Sequence, residues 1–87
     1  MTIKNGFLLR KVAGQNVVLP EGETLALNVM ITLNETGTFL WERMQTEVDE
    51  EMLVHDLLQE YDVDLETAAT AVNTFVGKLK DNGILTE

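Results

Sequence analysis

Cysteine is missing from this chain altogether, and basic residues are scarce: six Lys and Arg stand against 15 Asp and Glu in 87 residues. Without cysteine there is no disulfide framework, no thiolate metal site and no cysteine nucleophile. No run approaches the roughly 18 consecutive apolar residues of a membrane span. The opening Met1-Thr2-Ile3-Lys4-Asn5-Gly6 lacks the long apolar core and cleavage signature of a secretory signal, so a cytoplasmic protein is expected. The few aromatics are not interleaved with a basic stripe, as stacking on nucleic-acid bases would require. Catalytic signatures are missing as well: there is no phosphate-binding glycine loop, no nucleophile elbow, no H-E-x-x-H and no EF-hand pattern. The abundant carboxylates, such as Asp49-Glu50-Glu51, are spaced as helix-cap charges on an exposed face, where general acid/base tuning is difficult. A lone His55, off the apolar stripe of its segment, reads as a surface residue. The chain is therefore expected to be no enzyme and to need no cofactor or metal.

What is present is an uneven charge and a clear order of elements. The net charge is −9, yet residues 1–20 carry Lys4, Arg10 and Lys11 and no acid. Between Glu42 and Glu66 there are ten acids and one Arg. That acidic run is either a solvated surface that keeps a small protein soluble or a docking face for a basic partner; in both cases it opposes nucleic-acid phosphates. Eighty-seven residues suit one domain, 1–87, since two would each fall near the size that needs metals or disulfides.

Phe7 to Ala13 reads as a strand partly open to water, broken at Gly14-Gln15-Asn16 and resumed at Val17-Val18-Leu19. This predicts a β-hairpin with Gly14 at positive φ, ended by Pro20, with a turn at Glu21-Gly22-Glu23. Leu25 to Thr32 alternates with period two and forms a third strand, or a shorter one at Met30 to Thr32 if Asn28 breaks it. In a meander this strand lies at an edge and needs a cover or a partner.

At Ile31 to Trp41 the β-rich third gives way to helices. Thr32 with Glu35 fits a capping box and Asn34 is a second possible cap. Leu33, Gly37, Leu40, Trp41 and Met44 then recur at helical spacing, which puts Trp41 in the core. Asp49 caps a second helix, with Val48 stapled onto Leu53 and a stripe of Leu53, Val54, Leu57, Leu58 and Tyr61. Asp64 caps a third, whose seam is Leu65, Ala68, Ala69, Val72, Val76 and Leu79. Gly83 and Ile84 close it in a Schellman cap, and Gly77 inside it suggests a close packing contact. A second, mixed strip on this helix comprises Ala71, Thr74, Phe75 and Lys78, where Phe75 is either core or the floor of a groove. The fold class is thus α+β, a three-stranded antiparallel sheet followed by three helices. An edge strand beside such a strip can accept an added peptide strand.

Leu33-Asn34-Glu35-Thr36-Gly37, Leu40-Trp41, Glu60-Tyr61-Asp62-Val63 and Leu79 with Gly83-Ile84-Leu85 resemble, in order, the PqqD family, named for the pyrroloquinoline quinone biosynthesis protein D. The opening Gly6 to Gly14 is similar to its stand-alone members. The resemblance covers essentially the whole chain and implies a winged-helix-like fold. It implies a non-catalytic element that binds the leader of a ribosomally made precursor peptide and presents it to a modifying enzyme, often a radical S-adenosylmethionine enzyme. It implies that the leader adds to the third strand beside the third helix, here about Leu27, Asn28, Val29, Met30 and Ile31 with Ala71, Thr74, Phe75 and Lys78. Val29, Met30 and Ile31 would supply strand and wall, and a Met suits a flexible ligand. Ala71 stands where many members carry an acid, so a leader contact from that acid does not carry over. The other readings are a structural subunit of the modifying enzyme and a winged-helix DNA-binding regulator. Against the last, Asp62, Asp64, Glu66 and Asp81 outnumber Lys78 and Lys80 around the third helix. Neither nucleic acid nor a membrane is expected as a partner.

Overall fold

The computed structural model describes residues 1–20 and 31–86. Among these, β2 (Phe7–Val12), β3 (Gln15–Pro20) and β4 (Ile31–Leu33) form an antiparallel sheet in the order β2-β3-β4. The helices α1 (Glu35–Arg43), α2 (Glu50–Glu60) and α3 (Leu65–Asp81) follow. The expected α+β class, with a three-stranded antiparallel sheet and three helices, is what the chain adopts. A two-stranded ribbon, β1 (Thr2–Ile3) with β5 (Leu85–Thr86), adds a feature that periodicity could not announce.

The hairpin turn falls one residue earlier than the break at Gly14-Gln15-Asn16 suggests. Ala13 and Gly14 are the two turn residues, both at positive φ (52° and 81°), while Gln15 and Asn16 already pair in β3. Two consecutive positive-φ residues match the right-handed twist of the flanking strands, and Pro20 ends β3 as expected. The predicted turn at Glu21-Gly22-Glu23 and most of the Leu25–Thr32 strand lie outside the described residues; its described part, Ile31 and Thr32, is extended, and β4 runs one residue further to Leu33.

Each helix starts on a side-chain cap. Asn34, not Thr32, caps α1, its Oδ1 accepting from the Gly37 amide at 2.8 Å. Asp49 and Asp64 accept from the Met52 and Thr67 amides at 2.8 and 2.7 Å. Each cap satisfies one of the amides that a helix start leaves without an intrahelical partner. At the far end of α3 the Schellman cap is formed: Ile84 donates to the Leu79 carbonyl and Gly83, at φ +69°, to that of Lys80.

The core joins Val18, Ile31 and Leu33 of the sheet to Leu40, Trp41, Met44, Leu53, Leu57, Val72, Val76 and Leu79 of the helices. Two seam positions are corrected. Leu65 is 64% exposed and Ala69 is exposed, because the buried stripe of α3 runs through Ala68, Val72, Phe75, Val76 and Leu79. Gly77 is corrected too: a Cβ there would meet nothing within 4 Å, so no close contact explains it. Val48 and Leu53 are both buried in the core, and His55 is exposed.

Thr67, through its side chain and then its backbone amide, holds the Asp64 carboxylate below its usual range. A depressed folded pKa means that ionised Asp64 contributes stability above its unfolded value, lost as pH falls through the folded one. Asn caps a helix about as well as Asp but does not titrate. Asp64→Asn should therefore be no more stable than wild type at neutral pH and should gain on it as pH falls below about 4. Urea midpoints across that range check this; parallel pH profiles would contradict it.

Candidate functional site

A cleft of about 1020 Å³ opens where β4 hands over to α1, facing α3. Alternation turns Ile31 and Leu33 into the core and leaves Thr32 exposed between them. Among the described residues β4 pairs with β3 alone. Thr32 and Leu33 line the cleft, and the sharp Asn34 cap sends the chain directly into α1 along its rim.

The helix side comes from α3. Ala71, Thr74, Phe75 and Lys78 all line the cleft, since spacings of three and four residues place them on one face. Ala71 is half-buried, Thr74 and Lys78 are exposed, and Phe75 is 8% exposed. Phe75 is thus both a core residue and the floor of the cleft. α1 approaches α3 closely here because it carries Gly37: a Cβ at that position would lie 3.4 Å from Phe75 Cε1, 3.2 Å from Asn34 Oδ1 and 3.5 Å from Leu33 Cβ.

An aromatic corner closes one end. The Phe39 ring meets Tyr61 edge to face at 5.6 Å, and the Arg43 guanidinium sits 4.9 Å over Phe39. Desolvation, followed by the charge and hydrogen-bonding carboxylate of Glu35, raises the Tyr61 phenol above its ordinary value. At the other end Asn16 Nδ2 donates to Thr38 Oγ1 at 3.1 Å, tying β3 to α1. The cleft is an apolar floor with hydroxyl, amide and charged groups at its rim, a lining that can bury apolar groups of a ligand and hydrogen-bond around them. Among the described residues no group of three or more acidic or His side chains is placed to hold a metal ion.

Of the residues singled out in the sequence, Ala71, Thr74, Phe75 and Lys78 are brought together in the cleft. Ile31 is in β4, but its side chain turns into the core and its neighbour Thr32 faces the cleft instead. Leu27, Asn28, Val29 and Met30 lie outside the described residues. Sequence reasoning missed Thr32, Asn16, Phe39 and Tyr61 as cleft residues. For Thr32 the period-two alternation was a usable signal; the other three converge only through tertiary packing.

Fold and site together define an α+β module with a cleft between β4, the start of α1 and α3. The sequence profile described as "Coenzyme PQQ synthesis protein D (PqqD)" matches residues 15–85, so the chain belongs to the PqqD family. No curated protein matches the sequence. Among solved structures the chain is similar to TbiB1 in complex with the TbiA(beta) leader peptide, with a TM-score of 0.77 at 21% identity, over 98% of this chain and 94% of that one.

The Gly37 contact yields a paired prediction. Gly37→Val forces branched carbons against Phe75 and the Asn34 cap and should cost about 1–3 kcal/mol of stability. Gly77→Ala meets open space within a helix and should add about 0.5–1 kcal/mol. Denaturant titration of the two variants checks both signs.

Proposed function

We propose that this chain, as one recognition domain over residues 1–87, binds the leader of a ribosomally synthesised precursor peptide by strand addition and presents it to a separate modifying enzyme. The observation that carries the reading is the coincidence of β4, which among the described residues pairs with β3 alone, with a cleft lined by Ala71, Thr74, Phe75 and Lys78 of α3. Such a pairing supplies main-chain hydrogen bonds for affinity and side-chain pockets for specificity. Family membership supports it, as does similarity to a protein whose structure holds a leader peptide. The role is non-catalytic. The sequence resemblance supports a radical S-adenosylmethionine enzyme as the partner that acts on the peptide core. A DNA-binding role is disfavoured by charge, because acids predominate on α3 and its approach.

In this reading Leu27 to Ile31 offer the receiving backbone, and Ala71 and Phe75 floor the pocket for apolar leader side chains. Ala71→Arg fills that pocket from a half-buried position outside the main buried stripe. Titration with leaders of precursor peptides encoded beside this gene should show at least about a tenfold loss of affinity, near 1.4 kcal/mol, with little change in urea stability. In wild type, amide shifts should cluster at 27–33 and 71–78. Unchanged affinity in folded Ala71→Arg would move the pocket elsewhere, and no binding to any such leader would remove the role.

A further inference from the structure

A second cleft, of about 760 Å³, runs between α2 and α3 and shares no lining residue with the first. Its floor is apolar: Val54 and Leu58, one turn apart on α2, face Leu65 and Ala69, one turn apart on α3. Leu65 is the most exposed large apolar side chain among the described residues. Met52 and Val63, also exposed, belong to the same two helices and the turn joining them. Glu50 and Glu51 stand on the rim, within a stretch that carries nine acids from Glu47 to Glu66. From residue 44 to residue 77 there is no Lys or Arg; Glu47 is paired with the Met1 amine, and His55 also lines the cleft.

We infer that this α2–α3 cleft docks a cationic amphipathic helix of a partner protein. Charge complementarity selects the occupant. A second copy meeting the first through this face would set Glu50 and Glu51 against the same acidic rim, and an anionic membrane or nucleic acid would be repelled. A strand is not the fitting shape, because the cleft is bounded by two helices and offers no sheet edge. The floor residues instead form two one-turn rows, ridges between which another helix packs. Leucines on one face of that helix would cover Leu65 and Val54, while its Lys and Arg would meet Glu50 and Glu51. On α3 this cleft's lining, Leu65, Ala69, Thr70 and Asn73, centres about half a turn from Ala71, Thr74, Phe75 and Lys78, so the two clefts flank opposite sides of the helix. Leader and partner can therefore be held at the same time. That the partner is the modifying enzyme rests on the function proposed above; the docking chemistry does not.

The test uses the full chain and a synthetic Lys/Leu peptide about 18 residues long, enough for a helix, with its leucines on one face. The control has the same composition in scrambled order. At low ionic strength the amphipathic peptide should shift amides at 50–58 and 65–73 and bind at least about tenfold more tightly than the scramble. Leu65→Asn, at an exposed position and without change of charge, should weaken it about fivefold. Equal binding of the two peptides would reduce the effect to bulk charge and overturn the inference. So would shifts centred elsewhere, or unchanged affinity in Leu65→Asn. Leader titration of the same variant separates the two proposals: leader affinity should be unaltered, and its loss would overturn the independence of the clefts. Absence of leader binding in wild type strikes the leader function alone.

Discussion

Gly37 sets how near α1 can come to α3, and the shape of the cleft follows from that distance. Its absent side chain leaves room for Phe75 of α3, Leu33 of β4 and the Asn34 cap to meet around one backbone position. Three elements are thereby fixed to one another: the end of β4, the start of α1 and the middle of α3. Asn34 makes the arrangement possible at short range, because its side chain caps Gly37 while its backbone is still extended. Strand becomes helix within one residue, so β4 and the floor at Phe75 have little freedom to drift apart.

The ribbon of β1 and β5 does the corresponding work at the opposite end of the helices. Ile3 donates to the Met44 carbonyl at 3.1 Å and Lys4 to that of Ile84 at 2.7 Å. Thr2 Oγ1 donates to the same Met44 carbonyl at 3.0 Å. These bonds use carbonyls just past the ends of α1 and α3, where helical partners run out. Buried Met44 and Ile84, both fully inaccessible, anchor the two helix ends in the core. Both ends of α1 are thus held, one by a side-chain cap and one by the ribbon, and the cleft between them inherits that rigidity.

How much of this was legible depended on whether the signal was local. Caps at Asp49 and Asp64, the Gly83–Ile84 closure of α3 and the hairpin at Gly14 follow from side chains a few residues apart, and the structure bears them out. Periodicity found the buried stripe of α3 but not its limits. Leu65 and Ala69 share the spacing of the core residues yet lie where α2 leaves the first turns of α3 open to solvent. Gly77 was a sign of low helix propensity that no neighbour explains. Two-residue strands such as β1 and β5 are too short to carry any alternation. In the cleft, the strip from Ala71 to Lys78 was readable because one helix supplies it. The contributions of Asn16, Phe39 and Tyr61 were not, since each comes from a separate element and only packing unites them.

The division of labour around α3 follows from where charge is affordable. The face toward β4 meets an uncharged strand end, so Ala71, Thr74 and Phe75 can leave an apolar floor with Lys78 at its rim. The face toward α2 meets a helix whose first turn already favours acids, Glu50 and Glu51, through the helix dipole. Once those acids are present, further acids along α2 and into α3 cost little in water, where a Debye length of about 10 Å screens them. Exposed apolar Leu65 is harder to account for by that logic, because its uncovered surface contributes nothing to folding. Its position at the floor of an acid-rimmed cleft gives the exposure a physical use: apolar contact there is gained only when a partner of opposite charge arrives.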